Sequence, residues 1–559
     1  MGLEILLNLI NLFYIFITSL MISLIMIAPI SHLAVRIGGI DQPDERKVHC
    51  TETPRLGGIA IFCAFLFTVM FFIDIDRQIK AFLAGAVVIF LTGLADDLTS
   101  LTPRNKLIGE VLAATVAIIS GGISMTTLGN PLGLGEIQLG FFAVPFTIFA
   151  VVGVMNAINL IDGLDGLAGG TSAVACLAFG VLAWNTGNSS LLALVVALLG
   201  AIVGFLRYNT YPARIFMGDS GSLLLGYCMG FFSVMLLNQS GGTVSPVAPL
   251  MILGVPILDT LVVMGGRKLS GVSISSPDKT HIHHRLLDLG FAHRFSVLLV
   301  YGLSYLLAVS ALLLHGVSDS TQAIVLLLFC IILYSALHIL ATSENAQQFL
   351  LLKSNKSIRQ THTFRSLVGY SHFLLVVMKY LLLVILTLVI FVKPEYPVNI
   401  AWGGGLLLVC MSGLLLVGSR WGNSLLQSVI YFSGLISIFI IENYGRQTEL
   451  FGCYLIWISH VLFACLLVAG GIKVFLRKRA GQLINTPFEY LILFVVVAVP
   501  LLPTDITATF HLMSVAAKSV IIFVAYKLIL MRQARKNRKI LVATFIAMLV
   551  LVLRFVLHQ

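Results

Sequence analysis

The N-terminal stretch LEILLNLINLFYIFITSLMISLIMIAPI, from Leu3 to Ile30, contains a single charged residue, Glu4. An α-helix rises about 1.5 Å per residue, so about 20 apolar residues suffice to cross the hydrocarbon core of a bilayer. The stretch has no basic region before it and no small-residue cleavage site after it, and a secretory signal needs both. It therefore predicts a transmembrane helix that is retained in the protein.

The composition of the whole chain has the same character. Of its 559 residues, 58% are hydrophobic and 11% are charged, and the mean hydropathy is +1.01. Soluble domains carry about 25% charged residues, whereas side chains that face lipid must be apolar. The eight cysteines are scattered without a CxxC pair, so we predict neither a disulfide framework nor a zinc site. An integral membrane protein is the class that fits.

Apolar stretches of this kind recur along the chain and predict an all-α, polytopic membrane protein with about 18 transmembrane helices. About eleven of them form a core, at 3–30, 56–73, 79–94, 107–120, 141–158, 166–184, 191–206, 221–237, 246–264, 296–314 and 322–341. About seven follow, at 368–392, 399–417, 425–441, 453–475, 486–502, 510–530 and 540–557. We predict three regions: a core at 1–341, a polar and basic linker at 342–367, and a C-terminal membrane region at 368–559.

The basic residues of the core are concentrated in alternate loops. The odd-numbered loops hold 17 Lys and Arg residues, and the even-numbered loops hold one, Arg77. The odd-numbered loops are 36–55, 95–106, 159–165, 207–220, 265–295 and 342–367. Positive charge marks cytoplasmic loops, so we predict that these loops are cytoplasmic and that the N-terminus is outside. The net charge of +11 then indicates membrane lipids, not nucleic acid, as the partner.

Two adjacent carboxylates, Asp96 and Asp97, follow the third predicted span, and Lys106 comes soon after them. Carboxylates at the edge of a bilayer are costly unless a cation or a reaction needs them. Their titrations would be coupled, which suits metal binding or proton transfer. The alternative is a solvated helix end without chemistry.

The segment NAINLIDGLDGLAG, from Asn156 to Gly169, repeats a polar side chain at every third position, at Asn156, Asn159, Asp162 and Asp165. The glycines beside the two aspartates predict a break in the helix. Amide and carboxylate oxygens near free backbone N–H groups can hold a hard cation, a phosphate or a nucleobase edge. A glycine-rich turn between two spans is the alternative.

Two later loops contain groups that suit phosphates. Asp219, in MGDSGS, is either a functional carboxylate or a helix N-cap. The motif HIHHR supplies His281, His283, His284 and Arg285. Such side chains can bind a diphosphate and stabilise a leaving group. A zinc site is the alternative for the histidines, although no cysteine lies near them in the sequence.

The first cytoplasmic loop adds Lys47, in DERKVH, and Arg55, in PRLGG. Basic residues at a membrane surface suit a phosphate, and the alternative is an interface anchor. Taken together, oxygen ligands for a divalent cation and basic groups for phosphates predict metal-assisted phosphoryl transfer between a soluble and a lipid substrate.

Two other protein classes fit the sequence less well. A CDP-alcohol phosphotransferase places an arginine soon after its Asp-Gly motif, and the segment 162–166 is not followed by one. A transporter of lipid-linked sugars would account for the number of spans. Its polar residues would lie near the middle of the bilayer, whereas the polar clusters here fall in loops.

In order and composition, these motifs closely resemble those of the polyprenyl-phosphate N-acetylhexosamine-1-phosphate transferases, glycosyltransferase family 4, over about residues 1–340. The form HIHHRL is similar to the WecA/TagO branch, which starts O-antigen, enterobacterial common antigen or teichoic acid chains. The branch that transfers phospho-MurNAc-pentapeptide usually has three consecutive histidines. The resemblance to that branch is weaker.

The resemblance implies transfer of N-acetylhexosamine-1-phosphate from a UDP-amino sugar, with UDP-GlcNAc as the first choice, to undecaprenyl phosphate. UMP would leave, and the reaction would be the first membrane step of a cell-envelope polysaccharide. The implied cofactor is Mg²⁺, for which Mn²⁺ could substitute. The implied location is the bacterial inner membrane, with the active site on the cytoplasmic face, and a homodimer is left open.

The resemblance also implies residue roles. Asn159 and Asp219 would hold the metal with Asp162 beside them, and Asp165 would read the uracil edge. Asp96 and Asp97 would activate or position the lipid phosphate, and which of them is the base stays open. The substrate contacts would come from Lys47, Arg55, Lys106, Asn156, His281, His283, His284 and Arg285. We find no catalytic motif after residue 365.

Overall fold

The computed structural model describes residues 2–41, 53–269, 271, 280–342, 371–393, 398–416, 420–446, 448–450, 453–475, 508, 511–530 and 538–558. Lys47 and the predicted span 486–502 lie outside these residues. The described residues divide into two compact units, 2–342 and 371–558. Each unit is described by itself.

Helices dominate the first unit. They are α1 Gly2–Ile37, α2 Gly57–Phe72, α3 Arg77–Thr99, α4 Pro103–Gly121, α5 Ala143–Ile161, α6 Leu167–Asn185, α7 Ser189–Asn209, α8 Gly218–Gln239, α9 Val247–Ile252, α10 Gly254–Leu269, α11 Ile282–Asp288, α12 His293–Leu313 and α13 Asp319–Thr342. A short 3₁₀ turn, Gly140–Phe142, precedes α5. Strands β1 Ile40–Asp41 and β2 Thr53–Pro54 pair antiparallel, with Ile40 opposite Pro54.

The second unit has six described helices. They are α14 Ser371–Leu388, α15 Val398–Leu416, α16 Arg420–Tyr444, α17 Leu455–Phe475, α18 Leu512–Leu530 and α19 Arg538–His558. Strands β3 Glu449–Leu450 and β4 Cys453–Tyr454 pair between α16 and α17, and a 3₁₀ turn at Val389–Phe391 follows α14. Lys518 of α18 pairs with Glu442 of α16 and donates to the Ser459 hydroxyl of α17 at 2.9 Å. A buried charge needs such partners in an apolar unit.

The all-α, polytopic prediction is confirmed. In the described part of the chain, twelve helices are long and apolar enough to cross a membrane, and three further apolar helices are shorter. The total of about 18 spans stays a prediction, because part of the chain is not described. Cys63, Cys176, Cys228, Cys330, Cys410 and Cys465 are free thiols.

Helix α8 lies at the centre of the first unit and packs against α2, α3, α5 and α6. It is apolar on all faces, as a fully buried helix must be. Glycines let its neighbours approach its first turn closely. A Cβ at Gly58 of α2 would lie 2.3 Å from the Gly221 nitrogen, and one at Gly93 of α3 would lie 2.5 Å from the Ser220 Cα. The position of Asp219 therefore depends on the close contacts of α8 with α2 and with α3.

Two differences from the predicted spans change their interpretation. The span ending at residue 94 continues as α3 to Thr99, so Asp96 and Asp97 lie in a helix and not in a loop. The span 246–264 consists of two helices, α9 and α10, which break at Leu253. Pro256 has no N–H to donate to the carbonyl four residues before it, and its ring crowds that carbonyl. Pro256 therefore favours a break in the helix at this point.

Candidate active site

A cavity of about 590 Å³ opens at one end of the first unit, where α3, α5 and α7 end and α6 and α8 begin. Five of the predicted odd-numbered loops or their flanks contribute to its wall. The predicted site residues that line it are Arg55, Asp97, Asn159, Asp162, Asp165, Asp219 and His284. Asp96, Lys106, Asn156, His281, His283 and Arg285 lie outside this lining.

The segment PRLGG reaches the cavity through backbone pairing with the loop before α8. The Phe216 N–H donates to the Pro54 carbonyl at 2.7 Å, and the Gly57 N–H donates to the Phe216 carbonyl at 2.9 Å. This pairing places Arg55 beside the end of α3, where its guanidinium donates to the Asp97 carbonyl oxygen. Arg55 thus lines the cavity, which the sequence motif alone could not establish.

The carboxylate of Asp97 caps the N-terminus of α8. One oxygen accepts from the Asp219 N–H at 2.8 Å and the other from the Ser220 N–H at 3.0 Å. The side chain is 1% exposed. The first N–H groups of a helix lack partners within it and favour a negative charge. Asp97 therefore joins α3 to the turn that carries Asp219.

Lys106, from the first turn of α4, connects two carboxylates. Its ammonium lies 3.0 Å from Asp96 Oδ2 and 2.5 Å from Asp219 Oδ1. The other oxygen of Asp96 accepts from the Leu101 N–H at 2.7 Å. Lys106 thus links Asp96 to Asp219, and its ammonium lies close to any group that Asp219 would bind.

The Asn-Asp motif forms the floor of the cavity because α5 ends within it. The helix stops at Ile161, and Gly166 adopts a left-handed φ of +80° before α6 begins. The Ser222 hydroxyl donates to Asn159 Oδ1 at 2.8 Å, and Asp165 Oδ2 accepts from the Ala213 N–H at 2.9 Å. The predicted helix break at the glycines is therefore confirmed.

Asp162 is held among other acids at this turn. Removal from water raises the pKa of Asp162 to about 8, and the nearby carboxylates of Asp219, Asp165 and Asp97 act in the same direction. A site with so many carboxylates favours a cation, because positive charge would offset the repulsion among them. The raised pKa of Asp162 is thus a property of the group of carboxyls at the cavity, not of Asp162 alone.

The histidine motif divides between the cavity and a supporting network. His284 lines the cavity, and its ring lies 4.3 Å from the ring of His283. His283 is buried against the turn after α5, where a Cβ on Gly163 would lie 2.2 Å from its Nε2. Burial lowers the pKa of His283 to about 3, with a further contribution from His284. His283 is therefore neutral near pH 7.

Asp259 of α10 holds the start of this motif, and sequence reasoning missed it. Its Oδ2 lies 2.8 Å from His281 Nδ1, and its Oδ1 accepts from the Ile282 N–H at 2.8 Å and from the Tyr334 hydroxyl at 3.1 Å. A carboxylate inside an apolar predicted span was the available signal. Arg285 is directed away from the cavity, since its Nε donates to the Thr280 carbonyl and its guanidinium lies over Tyr334.

Two further residues support the motif segment and were also missed. Asn209, buried at the end of α7, accepts from the Gly166 N–H at 3.0 Å and donates to the Ile215 carbonyl at 2.9 Å. Glu110 of α4 accepts from the Asn156 amide. Asn156 therefore faces α4 and not the cavity, which differs from its predicted place in a substrate site.

The oxygen groups of the cavity can be compared with what a metal needs. Among the described residues, no group of three or more His, Cys, Asp or Glu side chains is spaced to hold a metal ion. His281 uses its Nδ1 to bond Asp259. Asn159, Asp162 and Asp219 all line the cavity and supply one amide and two carboxyl groups. Mg²⁺ usually binds one or two carboxylates, water and substrate phosphates, so this set fits Mg²⁺ bound together with a diphosphate.

Comparison with known proteins gives a family. A model described as glycosyl transferase family 4 matches residues 79–237. The chain is 38% identical over 302 residues to a Bacillus subtilis (strain 168) protein named "Probable undecaprenyl-phosphate N-acetylglucosaminyl 1-phosphate transferase", covering 54% of this chain and 84% of that protein. It is 34% identical over 315 residues to the "Decaprenyl-phosphate N-acetylglucosaminephosphotransferase" of Mycobacterium tuberculosis, covering 51% and 78%.

A third relative is more distant but equally well covered. The "Undecaprenyl-phosphate alpha-N-acetylglucosaminyl 1-phosphate transferase" of Yersinia pestis is 29% identical over 304 residues, which are 53% of this chain and 82% of that protein. Each of the three alignments spans about half of this chain and most of the relative. The resemblance drawn from the motifs is confirmed: the chain belongs to glycosyl transferase family 4.

Proposed function

We propose that this protein transfers N-acetylglucosamine-1-phosphate from UDP-GlcNAc to undecaprenyl phosphate and releases UMP. One observation carries the proposal: Asp97, Asn159, Asp219 and His284, from four separate parts of the chain, meet at one cavity. The names of the relatives support the sugar phosphate and the lipid. The reaction would be the first membrane step of a cell-envelope polysaccharide.

The metal of this reaction would be Mg²⁺, held by Asn159 and Asp219 with Asp162 beside them. When bound, Mg²⁺ neutralises charge that develops on the diphosphate during transfer. The excess of carboxylates around Asp162 supports a cation at this place. Lys106 already neutralises part of the charge on Asp219 and would share the diphosphate with the metal.

The chemistry would proceed in one displacement. An oxygen of undecaprenyl phosphate forms a bond to the β-phosphorus of UDP-GlcNAc, and the bond from that phosphorus to the UMP oxygen breaks. A phosphate monoester has a second pKa of about 6 and is therefore mostly dianionic at pH 7. It needs no strong base, so we assign Asp96 and Asp97 to positioning: Asp96 holds Lys106, and Asp97 holds the first turn of α8.

The other cavity residues would bind and orient the substrates. Arg55 would meet a phosphate at the end of α3, and Lys47, which precedes it in the same loop of the sequence, would also contact substrate phosphate. Asp165 would read the uracil edge. His284 would contact the diphosphate, with neutral His283 packed behind it. Charged donors aimed at a developing negative charge lower the barrier in a site that excludes water.

The proposed location is the bacterial inner membrane, with the cavity on the cytoplasmic side and the N-terminus outside. The support is that five of the six predicted odd-numbered loops, the set that holds 17 Lys and Arg residues, contribute to the cavity themselves or through their flanks. UDP-sugars are made in the cytoplasm, so the soluble substrate would enter from that side. A homodimer stays a prediction.

The catalytic unit would be residues 1–341, and the region 368–559 would be accessory. The alignments with relatives cover about half of the chain, and residues 2–342 form a compact unit among those described. A chain ending at residue 365 should retain UMP release in membranes. Loss of activity in a truncated protein that is inserted and folded would place part of the machinery after residue 365.

The decisive experiment uses purified full-length protein in detergent with undecaprenyl phosphate, Mg²⁺ and a panel of UDP-sugars, with UMP release as the measurement. We expect UMP release with UDP-GlcNAc, its loss on chelation with EDTA, and its recovery with Mg²⁺ or Mn²⁺. Asp219→Asn should reduce turnover at least 100-fold, since the charge at the start of α8 is lost. The matched control Asp74→Asn alters an exposed aspartate and should match the wild type.

Absence of UMP release with every UDP-sugar would refute the proposal. A lipid-linked sugar transporter, the rival class, should tolerate Asp219→Asn in a transport assay. Equal UMP release with UDP-GlcNAc and UDP-GalNAc would support the proposed reaction but refute UDP-GlcNAc as the preferred donor.

A further inference from the structure

A buried carboxylate lies one helical turn behind the cavity. Glu110 is on α4, four residues after Lys106, and is 1% exposed. Its Oε2 accepts from Asn156 Nδ2 of α5 at 2.5 Å. The same amide nitrogen also donates to the Val152 carbonyl at 3.0 Å. Both protons of the Asn156 amide are thus used in the protein interior.

This hydrogen bond joins α4 and α5, and each of these helices carries a residue of the proposed active site. Helix α4 carries Lys106, which contacts Asp96 and Asp219. Helix α5 carries Asn159, one turn beyond Asn156 and on the cavity wall. The bond between Glu110 and Asn156 therefore fixes α4 and α5 one turn below the point where Lys106 and Asn159 act.

The hydrogen bond to Asn156 does not by itself require a charged residue at position 110. Burying a carboxylate is costly even when it is hydrogen-bonded, and a glutamine oxygen could accept from Asn156 as well. A carboxylate adds a negative charge one turn from Lys106, because residues four apart on a helix are neighbours. Lys106 is thereby attracted by Glu110 from one turn along α4, in addition to its ion pairs with Asp96 and Asp219.

We propose that Glu110 is a positioning residue of the transferase. It holds Asn156, and through it the helix that carries Asn159, and it restrains Lys106 at the diphosphate. Glu110 does not itself line the cavity, so it would act through these groups and not by contact with substrate. The inference rests on the proposed function, because its effect is expected in turnover.

The test compares Glu110→Gln, Glu110→Leu, Asn156→Leu and the double variant of Glu110→Leu with Asn156→Leu. For each purified variant we would measure kcat and KM for UDP-GlcNAc from UMP release, together with the unfolding temperature in detergent. Glu136→Gln is the matched control, since Glu136 is an exposed glutamate remote from this cavity.

We expect Glu110→Leu to lower kcat at least 30-fold with less than a threefold change in KM. Glu110→Gln keeps the hydrogen bond and loses the charge, so it should recover part of this loss and remain about tenfold below the wild type. The double variant should be no worse than the poorer single variant, because both changes break one connection. Glu136→Gln should be unchanged.

Several results would overturn the inference. If Glu110→Leu lowers the unfolding temperature but keeps kcat within threefold, Glu110 is structural only. If the two leucine variants multiply their losses in the double variant, Glu110 does not act through Asn156. Should Glu110→Leu fail to fold, Glu110→Gln becomes the test. A wild-type kcat in Glu110→Gln would show that the charge of Glu110 is not needed for turnover. A wild-type protein that releases no UMP would instead reject the proposed function.

Discussion

Gly93→Ala tests whether the contact between α3 and α8 sets the position of Asp219. A Cβ at position 93 would lie 2.5 Å from the Ser220 Cα and 2.6 Å from the Asp219 carbonyl oxygen, and both are backbone atoms. Carbon atoms in contact lie about 3.5–4.0 Å apart. The first turn of α8 must therefore retreat from α3 by roughly 1 Å, and Asp219 would move with it.

This displacement sets the size of the expected effects. Overpacking a close-packed interior costs about 1–3 kcal/mol, so the unfolding temperature should fall. A shift of about 1 Å in a reacting-site group can lower the rate roughly 100-fold. The Asp97 carboxylate, which accepts from the Asp219 and Ser220 N–H groups, would also lose its geometry.

Gly153→Ala is the control because it makes the same substitution in a helix, and a Cβ there would have no atom within 4 Å. Alanine favours a helix by up to about 1 kcal/mol over glycine, so this variant should be as stable as the wild type or more stable. Both variants would be assayed for UMP release and for thermal unfolding in detergent. If Gly93→Ala matches Gly153→Ala in both measurements, the close contact does not position Asp219.

Three further predictions follow from individual side chains. Asp97→Asn keeps one acceptor oxygen for two N–H donors, so about 1.5–3 kcal/mol of charge-assisted hydrogen bonding would be lost. UMP release should fall about 10- to 100-fold, and the unfolding temperature should also fall. Wild-type values of both would contradict the role of Asp97 as the cap of α8. Asp259→Leu removes the partner of His281 and should lower kcat/KM for UDP-GlcNAc at least tenfold; an unchanged kcat/KM would reject the support role. The pKa of His283 is about 3 in the folded protein and 6.5 without burial. As the pH falls from about 7 to 4, His283 is therefore protonated in the unfolded chain but not in the folded protein. The folded protein loses stability over this range. His283→Gln should flatten the resulting decline in unfolding temperature, while the exposed His315→Gln should not.

Much of the fold follows from the length of apolar segments. A bilayer has a fixed thickness and leaves no water for backbone groups, so a long apolar segment such as Leu3 to Ile30 must be a helix. The sequence likewise locates the helix break after Asn159, because glycines stand beside Asp162 and Asp165. It does not locate the end of α3, since the acids Asp96 and Asp97 continue the helix with partners that come from α4 and α8.

The sequence by itself determined the class of the protein, its family and the residue types that gather at its active site. Only the tertiary structure decided which of those residues face the cavity and which support it. Asp97 caps α8, Asn156 faces Glu110, and His281 is held by Asp259. The rotation of a helix about its axis and the identity of a side chain's partner depend on packing between distant segments. An apolar span gives no periodic signal for that rotation, because lipid and protein interior are both apolar.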